Sequence, residues 1–490
     1  MEHRKVFAGL IVVLVLGVFL RTYNLGWETY SYSEVEIKQA ADDYAKGNFI
    51  HSYYIFDTPP LPKYIFAAAV VLQDSEVSLR LVSVLFGMMT VIAVFFLAKK
   101  LYGGKVALLA ATITAFSTVH VQLSRYVQQE TMLSFFYVMV VYFLWEATNE
   151  NRKYTFLYLG IFLGLALATK FISVIVVVCI IVYCIYRKQI KFSIRPNFSL
   201  GVSNWIIKSF VVMLIVFCAL WPFGFSTLKT DVAISVDFVS EVRTQQVSAN
   251  VPIMALSFAR RIFTSIGAEY TNPLLLSIPV VNYLVIYLIK ETIFIIPLLL
   301  FGMYFILKKP SKQDIFVLVF ISVFLIMLSF HKTNINYRHM TGLVPFFSII
   351  ASRWIQNIKP DRQKAAMVLV AAVFFVYAFF SGPSYALHYN PIKDVLGLPD
   401  TDSKMSEGMS QTIAYIGANC TSTYAGPYYR FMAEQYYHSF VDVNAQCVIK
   451  GDIQNSYEGG NVSDYLKGKN CQIDTTVYRD AIKILDIYKC

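Results

Sequence analysis

The feature that most constrains this chain is a succession of apolar runs, each about the length of a membrane span, separated by short polar connections. They lie near 6–20, 79–97, 105–123, 131–147, 155–168, 171–186, 205–222, 289–307, 314–330, 339–352 and 365–381. A helix needs about 20 apolar residues to cross a hydrocarbon core of about 30 Å. With 57% of residues hydrophobic and 15% charged, the chain has too little polar surface to cover such runs in water. The stretch 155–186 carries a single charge, Lys170. As one helix it would be about 48 Å long, so it must fold as two, with Thr169-Lys170 at the turn. The sequence therefore predicts an all-α polytopic membrane bundle of about 11 transmembrane helices. The run from Val6 to Leu20 is followed by Arg21-Thr-Tyr-Asn with no small-residue cleavage site, and reads as a retained span.

The loops alternate in charge. One side carries Arg4, Lys5, Lys99, Lys100, Lys105, Arg152, Lys153, Arg187, Lys188, Lys191, Arg195, Lys308, Lys309, Lys312, Arg353, Lys359, Arg362 and Lys364. These are 18 basic residues, against 4 in the opposite short loops: Arg125, Lys170, Lys332 and Arg338. Basic loops stay on the cytoplasmic side, which predicts a cytoplasmic N-terminus in a multi-pass cell-membrane protein. The net charge of +11 therefore reports orientation and excludes nucleic acid as a partner: from Gly382 onward 9 Lys/Arg face 12 Asp/Glu.

This topology divides the chain into a membrane part, 1–381, with long outer loops 21–78 and 223–288, and an extracytoplasmic part, 382–490. Loops of that length carry function more often than they merely connect. The tail mixes short apolar segments (438–445, 475–478, 484–488) with a helical pattern near 404–417, so a small α/β domain is expected. Its cysteines, Cys420, Cys447, Cys471 and Cys490, allow three disulfide connectivities in an oxidising compartment. Cys179, Cys184 and Cys218 sit in apolar runs and read as small hydrophobes. No CxxC or HExxH spacing calls for a metal, and no cofactor is implied.

Chemistry-bearing residues gather on the outer side. In Tyr30-Ser-Tyr-Ser33-Glu34-Val-Glu36, Ser33 and Glu36 have the spacing of a helix capping box, and one reading of these polar groups is a solvated helix start and nothing more. Asp57-Thr-Pro-Pro-Leu-Pro-Lys63 is a stiff proline turn returning a cation to the membrane. Ser124-Arg125 is a polar turn, and Glu130 opens the next span at membrane depth, where ionisable groups line cavities. Lys170 either snorkels to headgroups or faces the same space. His331, Lys332, Arg338 and His339 crowd one loop, at a height suited to a lipid phosphate or to anchoring helix ends. A carboxylate can take a proton from an attacking hydroxyl, and cations can hold a departing phosphate.

These segments resemble the GT-C superfamily of membrane glycosyltransferases, in its protein O-mannosyltransferase and aminoarabinose (lipid A) transferase branch. The matching residues are Ser33-Glu34, Pro59-Pro60-Leu61 with Lys63, Ser124-Arg125 with Glu130, Gly164 to Lys170, and Arg338-His339 with Pro345. The resemblance covers Val6 to about Phe380 and implies a catalytic outer face. It also implies a polyprenyl- or dolichyl-phosphate monosaccharide donor, a protein or glycolipid hydroxyl acceptor, and inversion at the anomeric carbon. It departs at the first acid, where the family aspartate falls on Ser33. Glu34 then becomes the expected base, with Glu130 assisting and Lys63, Arg125, Lys170, Arg338 and His339 binding substrate. Two other readings stay open: an inactive relative that binds lipid carriers, and a transporter, which would place charges near mid-span and repeat its halves.

Overall fold

The computed structural model describes residues 2–26, 29–49, 59–150, 153–193, 199–225, 227–238, 241–252, 279–329, 337–382, 385, 389–392, 409–425, 445–451, 462, 466, 471–479 and 482–490. Helices dominate. In chain order they are α1 (Glu2–Thr22), α2 (Tyr32–Ala45), α3 (Leu61–Leu72), α4 (Glu76–Tyr102), α5 (Gly104–Phe116), α6 (Thr118–Leu123), α7 (Glu130–Asn149) and α8 (Thr155–Thr169). There follow α9 (Val174–Tyr186), α10 (Asn204–Leu220), α11 (Pro279–Lys290), α12 (Ile295–Lys308), α13 (Lys312–Ser329), α14 (Val344–Ser352), α15 (Pro360–Ser381) and α16 (Met409–Asn419). Each of the eleven span-length apolar runs overlaps a helix. Of these, α1, α4, α7, α13 and α15 are long and apolar enough to cross a membrane by themselves. Apolar side chains also face outward, among them Ile11, Leu300, Leu307, Leu369 and Phe380. An apolar outer belt of that kind belongs to a body solvated by lipid.

Three runs are interrupted where polar groups intervene. The run 105–123 breaks at Ser117, whose hydroxyl accepts from the His120 amide and caps α6. The run 289–307 divides into the end of α11 and the whole of α12, parted by Glu291, which accepts from the Ser117 hydroxyl and the Thr292 amide. The run 339–352 starts as a 3-10 turn, Tyr337–Leu343, before α14. Short helices α2 and α3 pack on each other ahead of α4.

Close approach between helices rests on glycine. A Cβ on Gly160 would lie 2.5 Å from the Ser209 carbonyl oxygen, and one on Gly164 2.8 Å from that of Met213, so α8 and α10 meet backbone to backbone. At the end of the bundle bearing the basic loops, Arg353 grips Asp314 through two bonds, 2.7 and 3.0 Å.

The tail has helix α16 and a four-stranded sheet of β5 (Thr423–Ala425), β6 (Cys447–Gly451), β8 (Ile482–Lys489) and β7 (Gln472–Arg479), in that spatial order. The β5/β6 pair is parallel, and β6/β8 and β7/β8 are antiparallel. This is the small α/β unit expected, although segment 438–445 lies almost wholly outside the described residues. Of the three connectivities open to the tail cysteines, the chain forms Cys420–Cys447 and Cys471–Cys490. Cys179 and Cys184 are free and buried. Two earlier hairpins, β1/β2 (Ile190–Ser193, Ser199–Val202) and β3/β4 (Thr227–Phe238, Glu241–Pro252), lie in the connections flanking α10.

Candidate active site

Glu130 is the first residue of α7 and is buried. Lys170 ends α8 in an extended conformation, which turns the chain into a 3-10 winding, Phe171–Ser173. That break sets the Lys170 ammonium 2.9 Å from Glu130 Oε1. Arg338 and His339 ride on the 3-10 turn ahead of α14. Ser134 Oγ clamps this turn to α7 by donating to the Thr341 carbonyl at 2.7 Å, while Gly342 lies flat against the Tyr137 ring. Gln122 donates to the Tyr337 hydroxyl from the other side. Glu130, Lys170, Arg338 and His339 consequently line one narrow pocket, with Tyr137 and Phe324 beside them. Four of the seven residues singled out in the sequence thus meet in space.

One atom in this pocket stands out. Glu130 Oε2 is buried and has no hydrogen-bond partner among the described residues. A buried carboxylate oxygen left unsatisfied is costly, and such atoms belong where a ligand or proton is expected.

Glu34 is placed differently from the expectation. The capping box is shifted by two residues: Ser31 is the N-cap and Glu34 the third helical residue, so α2 starts at Tyr32 rather than Ser33. Glu34 Oε2 accepts from the Ser31 amide at 2.9 Å. Its Oε1 accepts from the Val127 amide at 2.8 Å and from Arg80 Nε at 3.0 Å. Fully buried and holding four donors, counting Arg80 Nη2 at 3.3 Å, Glu34 fastens α2 to α4 and to the turn before α7. Both Glu34 oxygens are thereby engaged within the fold.

Arg125 donates to the carbonyls of Leu20, Arg21, Tyr23 and Asn24 at 2.8–3.2 Å, closing the C-terminal end of α1. Lys63 is buried against α2, 5.9 Å from the Tyr44 ring centre, and is not part of the Glu130 pocket lining. Ser33 Oγ accepts from Gln128 Nε2 at 2.7 Å, which ties Ser33 to the turn leading into Glu130. Asp57, His331 and Lys332 lie outside the described residues. Among the described residues no three His, Cys, Asp or Glu side chains gather as a metal site.

Sequence reasoning passed over Arg80, Gln128 and Tyr137. Arg80 had a visible signal, a cation inside the apolar run 79–97. Gln128 and Tyr137 had none, because their roles depend on partners more than 30 residues away.

A helical membrane body with a charged pocket between helix ends, followed along the chain by a small mixed domain, is the fold this chain shares with solved membrane-protein structures. Residues 57–222 match the family profile described as dolichyl-phosphate-mannose-protein mannosyltransferase. Dolichyl-phosphate-mannose–protein mannosyltransferase 1 of Saccharomyces cerevisiae is 27% identical over 207 residues, which is 36% of this chain and 25% of that protein. The chain thus spans a quarter of the length of this curated relative. The crystal structure of ArnT from Cupriavidus metallidurans bound to undecaprenyl phosphate superposes with a TM-score of 0.58 at 11% identity, over 99% of this chain and 98% of that one. The archaeal oligosaccharyltransferase AglB from Archaeoglobus fulgidus, in complex with an inhibitory peptide and a dolichol-phosphate, gives 0.53 at 12% identity, over 88% and 63%.

Proposed function

We propose that this protein is a glycosyltransferase moving a monosaccharide from a polyprenyl- or dolichyl-phosphate carrier to a hydroxyl of a protein or glycolipid acceptor on the extracytoplasmic face. The observation that carries this reading is the Glu130 pocket, with a carboxylate oxygen that has no hydrogen-bond partner among the described residues beside Lys170, Arg338 and His339. The acceptor oxygen attacks the anomeric carbon while the bond from that carbon to the phosphate oxygen breaks. The lipid phosphate leaves with the electron pair, and the acceptor proton passes to Glu130 Oε2. Lys170, Arg338 and His339 take up the charge developing on the phosphate. Lys63 remains a donor-binding residue by resemblance alone. The orientation draws support from the basic loops and from the two tail disulfides, which suit an oxidising compartment.

The test is transfer of labelled sugar from dolichyl- or undecaprenyl-phosphate donors by the purified protein. Glu130→Gln should lower turnover by about 100-fold or more while leaving donor binding in place. Turnover unchanged in that variant would remove Glu130 from the chemistry. A second reading is favoured by Ser33, neutral and hydrogen-bonded to Gln128: a relative that binds lipid carriers without transferring. Saturable carrier binding with no product from any lipid-phosphate sugar would establish it.

A further inference from the structure

A second pocket lies at the opposite end of α7 from Glu130. The two ends are about 24 Å apart, taking 1.5 Å per residue from Glu130 to Glu146. Tyr142, Phe143 and Glu146 on α7 form one wall, and Lys153, Tyr154 and Tyr158 at the start of α8 form the other, around a cavity of ≈ 450 Å³. This is the end of the bundle where α4 finishes in Lys99 and Lys100.

Among the described residues the mouth holds two cations, Lys100 and Lys153, and two carboxylates, Glu146 and Glu150, unevenly placed. Lys100 is taken up by both local carboxylates, Glu146 and Glu150, the latter at 2.9 Å, and it also packs over the Tyr142 ring at 4.7 Å. Lys153 is exposed, has no carboxylate partner among the described residues, and rests 5.4 Å from the Tyr154 ring centre. The pocket therefore presents Lys153 beside tyrosine hydroxyls on one wall, with Glu146 held by Lys100 on the other. From it a seam of half-exposed rings runs along the α7–α8 groove toward mid-span. Tyr158 stacks on Phe143 at 5.1 Å, Phe143 on Phe162 at 5.6 Å, and Phe162 meets Phe135 at 6.0 Å.

A cation with hydroxyls at one end and an apolar groove at the other is the outline of an amphiphile. We propose that this pocket binds the phosphate headgroup of a membrane phospholipid, with Lys153 on the phosphate and an acyl chain along the Phe143–Phe162 seam. A soluble phosphate compound would have no use for the seam. Cations at this height attract anionic lipid, and tyrosine suits the boundary between headgroups and hydrocarbon. The site is distinct from the Glu130 pocket and does not depend on transferase activity.

The experiment uses the full chain in a mild detergent with a photoreactive phosphatidylglycerol. Crosslinks should map to peptides containing 142–146 and 153–158. Lys153→Ala should weaken phosphatidylglycerol binding by at least about 5-fold, and Lys153→Arg should restore it. Because Lys153 is exposed, both variants should elute as monodisperse protein. Glycerol phosphate and inorganic phosphate should compete poorly. Unchanged lipid binding in Lys153→Ala, or crosslinks confined to other helices, would overturn the proposal. So would competition by glycerol phosphate as strong as by the lipid, which would make the ligand a soluble one.

Discussion

Replacing Glu34 by alanine should destabilise the protein before it affects chemistry. The Glu34–Arg80 contact is 3.0 Å long, with side-chain exposures of 0% and 2%. At an effective dielectric of about 20 the gross attraction at that distance is about 5.5 kcal/mol. Desolvation offsets part of this in the intact pair, but removing Glu34 takes the nearer carboxylate from a buried guanidinium whose other carboxylate, Glu76, stands 3.9 Å away, a loss of about 3–5 kcal/mol. The amides of Ser31 and Val127 lose their acceptor as well. Glu34→Gln keeps one acceptor oxygen and should lose about half as much. The double change Glu34→Leu with Arg80→Met should recover stability over Glu34→Ala, since no unpaired charge remains. Thermal unfolding of the detergent-solubilised variants, followed by fluorescence-detected size exclusion, gives the ranking, and transfer assays below the melting temperature give turnover. A Glu34→Gln protein that melts like wild type and yet loses transfer by about 100-fold would refute this reasoning. It would return Glu34 to the role of base.

Arg125→Ala should leave four carbonyls at the end of α1 without their donor and lower the melting temperature, while donor affinity stays within about twofold of wild type by direct binding. Gly160→Ala would force a methyl against the Ser209 carbonyl oxygen, and should cost about 1–3 kcal/mol in thermal unfolding as α8 and α10 part. Replacing Cys420 and Cys447 together by serine opens a 27-residue loop and should lower the stability of the tail by about 2–4 kcal/mol. Limited proteolysis would show this as faster cleavage after 382, with the helical body intact.

Much of the membrane part was legible because the bilayer imposes a length and a polarity that a sequence displays directly. The split at Lys170 is an example: the uncharged stretch was too long for one helix, and the residue that broke it also reached Glu130. Glu130, Arg338 and His339 could be read as facing a common space, since each interrupts an apolar run at the same height. Roles within that group were less legible. Arg125 and Glu34 carry the same charges as substrate-binding groups would, and only their partners reveal that one closes a helix end and the other fastens three segments. The capping box was misread by two residues because Tyr30-Ser-Tyr-Ser33-Glu34-Val-Glu36 contains two serine–glutamate pairs of identical spacing, Ser31/Glu34 and Ser33/Glu36. What separates them is that Glu34, not Glu36, points at Arg80.

The manner in which α1 is finished has a consequence for biogenesis. Arg21, fully buried, donates to the Ala115 carbonyl and bonds the His120 ring, and the open carbonyls at the helix end wait for Arg125. These partners lie 94 to 105 residues further along the chain. At a synthesis rate of about 5–20 residues per second, they emerge roughly 5–20 s after α1 itself. Throughout that interval the Arg21 guanidinium has the Gly17 carbonyl of its own helix as a partner while its later partners and the donor for the helix-end carbonyls are still to come, a state that suits the water boundary rather than hydrocarbon. The first helix must therefore be held at the insertion machinery, or at the water boundary, until α5 and α6 arrive, so the opening segment of the chain is among the last to be locked into the bundle.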